Sequence, residues 1–341
     1  MKNILIDIKH PAQLNLFKNI SKKLQKQGWN VIICYLDRGK LPKIIQKEYP
    51  GFECIKVGSS RGTKWSIFWN GNVVRTVDFI KIIRDKKIRL CLAASSAPMA
   101  LACKLCRIPL LQFYDDPERK GINKINEFLS TKLFFPPIID KSSKIEWFNC
   151  LKEWSYLSPS YFKPNLSVLD KFGLKPYTYV FVREVSNKSF NYYNQMDAIV
   201  CSISSQLDQN FPFLLSLEDK TIKDKFPLNW ILLEEPIEDI HSLIFYSKLT
   251  VSSGDSMARE GAMLGVPSIY CGIRKMKANQ LLIDRGILKH FPLENAIEPI
   301  NSLLKTESNL VNQEKIRRNL LDEWDDMNTF MENKIKQYIK L

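Results

Sequence analysis

The sequence predicts two successive α/β domains, each a parallel sheet wound with helices. It rests on a length of 341 residues, an alternation of strand and helix signals from the third residue onward, and a breaker-rich stretch near the middle after which the alternation restarts. That length exceeds one typical core of roughly 100 to 200 residues. Hydrophobic residues at 45% and charged residues at 25%, both spread along the chain, exclude disorder and fibrous repeats.

Asn3 to Ile8 is a short apolar run, broken by His10-Pro11; Leu14, Phe17, Ile20 and Leu24 then recur at helical spacing, and Gly28 ends that helix before a strand at Trp29 to Tyr35. This is a βαβ opening, which implies a parallel sheet. A helix near 72 to 86, a strand at Leu90 to Ala94, a small-residue helix at Ala97 to Cys106, and strands at Leu110 to Tyr114 and Leu133 to Phe135 continue it. The strands run out into loops such as Lys9-His10-Pro11, Ser95-Ser96-Ala97-Pro98 and Asp115-Asp116-Pro117-Glu118, where ligands bind in open α/β sheets. The segment from Tyr156 to Pro164 reads as the crossing between domains. Beyond it come strands at Tyr177 to Arg183, Trp230 to Leu233, Leu249 to Ser252 and Ser268 to Cys271. The expected division is 1–160, 161–311 and a helical tail at 312–341, part of it packing back on the first domain.

A formal charge of +14 calls for an anionic partner or reflects a lysine-rich coding bias. The cations are scattered, with one cluster at Lys81, Arg84, Lys86, Lys87 and Arg89, and no aromatic-interleaved or arginine-rich motif points to nucleic acid. A phosphorylated substrate or an anionic membrane face suits the charge better. Trp65, Phe68 and Trp69, near Arg61 and Lys64, are candidates for such a face or for ordinary core. Cysteines sit mostly in apolar runs, so reduced thiols are expected, and Cys103-Lys-Leu-Cys106 has no second pair to complete a zinc site. With no signal peptide and no apolar stretch of roughly 18 residues, a cytoplasmic protein is expected.

The richest stretch runs from Thr250 to Pro267. A strand enters Ser252-Ser253-Gly254, and a helix begins at about Ser256; exposed N–H groups at such a junction suit a diphosphate. Ser253, Gly254, Asp255 and Ser256 are the candidate binding residues of this turn. Glu260, six residues after the glycine, can accept hydrogen bonds from a ribose diol, and Gly265 and Pro267 close the helix. A lone Ser-Gly turn is usually only a turn, but this ordered combination is far harder to obtain by chance.

That stretch resembles the donor-binding motif of GT-B enzymes, notably the N-acetylglucosaminyltransferase that forms lipid II, and is similar to that of UDP-N-acetylglucosamine 2-epimerases. Over nearly its whole length the chain is similar to the family called domain of unknown function 354. The matching parts are Asp7 to Ala12, Phe113 to Glu118, Tyr156-Leu157 with Phe162, Phe181 to Arg183, Glu234 to Pro236 and 253 to 267. The resemblance implies two Rossmann-like domains with parallel sheets facing across a cleft, a UDP-linked sugar held by the second domain, and Glu260 on its ribose. It also implies that the Glu234-Glu235 loop flanks the base and that Asn279 and Gln280 reach the donor sugar. Neither a metal nor another cofactor is implied, and no Asp-x-Asp is present.

His10, at the end of the first strand, is a candidate base for an acceptor hydroxyl, or else a helix cap. Asp116 is a second candidate base, with Asp115 beside it on the substrate; both could instead be N-caps. Arg183 could offset charge on the leaving diphosphate or make a surface salt bridge. The leading reading is a glycosyltransferase of cell-surface polysaccharide or glycolipid synthesis, with a lipid-linked or saccharide acceptor and peripheral membrane contact. The alternatives are a UDP-N-acetylhexosamine 2-epimerase, hydrolysing or not, and a non-catalytic nucleotide-sugar-binding partner.

Overall fold

The structure, a computed structural model, describes residues 2–59, 69–187, 195–234, 237, 239–307 and 310–339. The candidate membrane-facing aromatics Trp65 and Phe68, with Arg61, Lys64 and the side chain of Trp69, lie outside the described residues, as does Glu235. The chain divides into two compact units: Met1–Tyr156 with Trp324–Leu341, and Leu157–Glu323.

Unit 1 is a seven-stranded parallel sheet: β1 (Asn3–Ile8), β2 (Asn30–Asp37), β3 (Glu53–Ser59), β4 (Leu90–Ala93), β5 (Leu110–Phe113), β6 (Lys132–Phe135) and β7 (Ile145–Trp147). Its order is β3-β2-β1-β4-β5-β6-β7, so the winding reverses between β1 and β4. Ile4, Leu5, Ile6 and Ile8 of β1 are fully buried, the mark of a strand covered on both faces. The helix Met327–Ile339 belongs to this unit, where Glu332 meets Lys23 at 2.6 Å and Trp324 stacks edge-on against Trp154.

Unit 2 has six parallel strands: β8 (Val180–Glu184), β9 (Phe213–Leu217), β10 (Ile231–Leu232), β11 (Leu249–Ser252), β12 (Ser268–Tyr270) and β13 (Lys289–His290). The order β10-β9-β8-β11-β12-β13 places its reversal between β8 and β11. Its core includes Val182, Leu215, Phe213, Trp230 and Val251. The first strand of this unit starts at Val180 rather than Tyr177, because Tyr177 adopts φ 62 in the turn before it. β3, β7, β9 and β13 carry no strand signal strong enough to read from periodicity, and β10 and β13 have only two residues each.

Two helices of this unit are tied at their C-terminal ends by the tail. Gln313, buried on the helix Leu310–Glu323, donates from its amide to Phe245 O at 3.0 Å and to Leu264 O at 3.1 Å. Both acceptors are carbonyls that helix ends leave without intrahelical donors. All eight cysteines are free thiols. Among the described residues no helix is long and apolar enough to cross a membrane.

Candidate functional site

The reversal point of the second sheet gathers most of the residues expected there. β11 is buried throughout and delivers Ser252, whose Oγ donates to Gly254 O at 2.7 Å and accepts from Gly254 N at 3.0 Å. Ser253 faces inward. Its N–H bonds Arg183 O at 3.0 Å, its Oγ accepts from Val185 N at 2.9 Å, and the same hydroxyl donates to Glu184 Oε1 at 2.5 Å. The serine and the Gly254 amide therefore frame the turn, and the surface offered to a ligand begins one residue later. There the helix Asp255–Met263 starts, one residue ahead of the sequence reading, with Gly254 as a cap that has no side chain to offer. The first N–H groups of a helix have no internal acceptors, and its dipole favours an anion.

Asp255 is paired with Arg274 at 2.9 Å and receives the Ser256 hydroxyl at 3.2 Å. Glu260, 5% exposed, has Oε2 3.4 Å from His241 Nε2, at the start of the helix Ile240–Phe245. Arg259, fully buried, donates to Asn279 Oδ1 at 2.8 Å. Arg183, near the end of β8, donates to Ser216 Oγ at 2.8 Å on the neighbouring strand β9. Gln280 points away from its neighbour Asn279 and bonds Asp284 at 2.7 Å on the exposed side of its helix. In short, Arg183, Ser253, Gly254, Asp255, Ser256, Glu260 and Asn279 share one end of the sheet, and Gln280 turns outward.

Glu184 was not anticipated, and it braces this turn. Buried at 1% exposure, it accepts from Ser253 Oγ on one oxygen and from Cys201 N at 3.0 Å on the other. Burial raises its pKa from 4.5 to about 7, while the bonds from Ser253 and the Cys201 and Val200 backbone pull it down and Asp197 adds to the rise. Folding thus holds its proton. The group stabilises the fold below pH of about 4.5, and that contribution is lost as pH rises through about 7. Glu184→Gln, which mimics the protonated acid, should remove this decline. Chemical denaturation from pH 5 to 8 is expected to show the wild type losing about 3 kcal/mol relative to the variant. Parallel curves would show that Glu184 does not titrate there.

At the reversal point of the first sheet, Asp7 is buried beneath Arg75 and receives the Ser96 hydroxyl at 2.6 Å. Lys9 Nζ donates to Ser95 O at 2.6 Å, and Ser95 is held at φ 60, a strained position for a residue with a side chain. Burial lowers the Lys9 pKa to about 8; Asp7 opposes this, and Arg75 and Arg119 reinforce it. His10 does cap the helix Pro11–Lys26: its Nδ1 accepts from Ala12 N at 3.3 Å. Asp115 is buried against Lys152 Nζ at 2.5 Å, and Asp116 accepts Asn123 Nδ2 on its carbonyl at 2.9 Å. Neither aspartate caps the next helix, which begins at Lys120 after Arg119 with no side-chain cap.

Sequence reasoning missed Glu184, Lys9 and Lys152, and gave His241 a weaker case than His10. A charged residue closing an apolar strand was the available signal for Glu184. His241 lies nineteen residues from Glu260 with no periodic relation to it. Among the described residues no group of three or more His, Cys, Asp or Glu side chains could hold a metal ion.

Residues 2–340 match the family described as protein of unknown function, DUF354. The uncharacterized protein MJ0665 of Methanocaldococcus jannaschii is 22% identical over 304 residues, covering 84% of this chain and 87% of the relative. UDP-N-acetylglucosamine 2-epimerase from Rickettsia bellii has a similar structure, with TM-score 0.69 and 13% identity over 100% of this chain and 97% of that one. The glycosyltransferase VinC, solved with dTDP, gives TM-score 0.68 and 11% identity over 99% of both chains. The fold is GT-B, built of two Rossmann-like units.

Proposed function

We propose that this chain, which belongs to the DUF354 family, is a GT-B glycosyltransferase that binds a nucleotide diphosphate-sugar in unit 2 and passes the sugar to an acceptor recognised by unit 1. One observation carries the reading: an uncapped helix start at the reversal of the sheet, with a carboxylate at Glu260 one turn inside it. The helix terminus offers N–H groups and a positive field to a diphosphate. Glu260, aligned by His241, takes the ribose hydroxyls. Ser253 and Gly254 shape the turn, Asp255 and Ser256 open the helix, and Asn279 and Arg183 line the donor side. Glu235 and Gln280 belong to the same proposal as contacts to the base and the donor sugar. UDP is the preferred carrier, with an acceptor in cell-surface polysaccharide or glycolipid synthesis on the cytoplasmic side of the membrane.

On the acceptor side, His10 and Asp116 remain the candidate bases, with Asp115 positioned by Lys152. Catalysis would come from placing the acceptor hydroxyl and stabilising the departing diphosphate. A second reading is a UDP-N-acetylhexosamine 2-epimerase, favoured by Lys9: an amine with pKa near 8 could exchange a proton with a sugar carbon at neutral pH.

Purified protein incubated with a panel of nucleotide sugars, with and without membrane lipid extract, separates these readings by mass spectrometry of the products. Transfer to an acceptor with release of nucleoside diphosphate is the expected result. An altered hexosamine formed without acceptor would replace the transferase reading with the epimerase. Saturable nucleotide binding with no turnover across the panel would reject both.

A further inference from the structure

We propose that unit 1 docks on an anionic phospholipid bilayer through a cationic groove at the amino-terminal edge of its sheet, the edge away from Lys9 and His10. The groove has a volume of about 390 Å³ and is lined by Arg84, Lys87, Arg89 and Arg107 together with Leu105 and Ile108. These residues come from the ends of the helices Arg75–Asp85 and Ala97–Cys106 and from the loops that enter β4 and β5.

Lys87 has φ 50 and Arg107 has φ 56, the left-handed conformation that follows a helix and is cheapest for glycine. Both positions carry a cation instead, at a conformational cost. A positive charge at a helix C-terminus complements the dipole, which accounts for one cation per helix. It does not account for Arg89, beyond either helix. Among the described residues none of the four forms an ion pair, whereas the adjacent Lys86 is neutralised by Glu53 at 2.5 Å.

Beside the groove, Leu101 and Leu105 stand 40% and 59% exposed on one helix, with Lys104 between them. Cations mixed with outward aliphatic side chains match the headgroup boundary of an anionic bilayer, where charge attracts and apolar groups insert. None of these residues is aromatic, so bases of single-stranded nucleic acid would find no stacking platform. The inference rests on unit 1 alone and does not depend on the donor reading.

The full chain is sedimented with vesicles of phosphatidylcholine, with and without phosphatidylglycerol. Binding only to the anionic vesicles, weakening with salt, is expected. Lys87→Gly with Arg107→Gly should lower that affinity roughly thirtyfold, from two lost surface charges. Because glycine relaxes both positions, the melting temperature should stay equal or rise, which separates the effect from unfolding. Leu101→Ser with Leu105→Ser should weaken binding as well. Equal binding to both vesicle types, or wild-type binding by the double-glycine variant, overturns the proposal. So does uptake of inorganic phosphate or RNA by a protein that ignores the vesicles.

Discussion

Glu260→Ala should raise the dissociation constant for UDP by one to two orders of magnitude while leaving the protein folded. The carboxylate would accept charge-assisted hydrogen bonds from two ribose hydroxyls, and losing such bonds costs about 1 to 3 kcal/mol. Its side chain is nearly enclosed, and His241 Nε2 lies 3.4 Å from Oε2, so the alanine variant leaves an imidazole facing the space. His241→Gln should reproduce a smaller part of the loss, since a Glu260 that keeps its charge but not its orientation still binds. Titration calorimetry with UDP, alongside thermal melts, makes the comparison. Wild-type affinity in a folded Glu260→Ala protein would remove the ribose assignment.

The largest effect on stability should come from Gly265→Ala. Gly265 has φ 77, and a Cβ there would stand 2.5 Å from Gln313 O and 2.9 Å from Gln313 Cγ. Backbone cannot swing aside as a long side chain can. Left-handed strain of about 1 to 2 kcal/mol adds to an overpacking cost of about 1 to 3, for a total of about 2 to 5 kcal/mol. Denaturant unfolding followed by a probe in unit 2 should report it, with unit 1 unaffected. A change below about 1 kcal/mol would mean that the helix Leu310–Glu323 repacks to accept the methyl group.

The strands β1, β4, β5, β11 and β12 were legible because parallel strands covered on both faces read as apolar runs punctuated by turns. β9 was not: Phe213–Leu217 lies among Asn210, Pro212 and Glu218 without a helix signal on either side, and β13 is too short for any periodicity, whereas the two-residue β10 falls inside the strand expected at Trp230 to Leu233. The turn from Ser252 to Gly254 was legible as a unit, since strand, Ser-Gly, Glu and Leu-Gly-x-Pro fall in a fixed order. What its members do was less so. Nothing in a linear sequence tells that Ser253 Oγ is spent on Glu184, because that bond joins residues 69 apart. His10 likewise reads as both base and cap, and only its 3.3 Å contact with Ala12 N shows that capping takes place. Asn279 and Gln280 diverge for a simpler reason: a neighbour in sequence on a helix points about 100° away, so Asn279 is buried against Arg259 while Gln280 bonds Asp284 on the exposed side.

Gln313 sets a condition that no motif carries. Its single amide group holds the end of the helix that begins beside His241 and the end of the helix that contains Glu260. The spacing of those two helices is therefore braced from a residue 46 positions downstream of Pro267, the last residue of the motif. A fragment ending at residue 309 would keep every residue of the donor stretch and lose the brace that spaces its carboxylate from its imidazole. The smallest piece of this chain that keeps the spacing of Glu260 and His241 is thus longer than the piece that spells the motif.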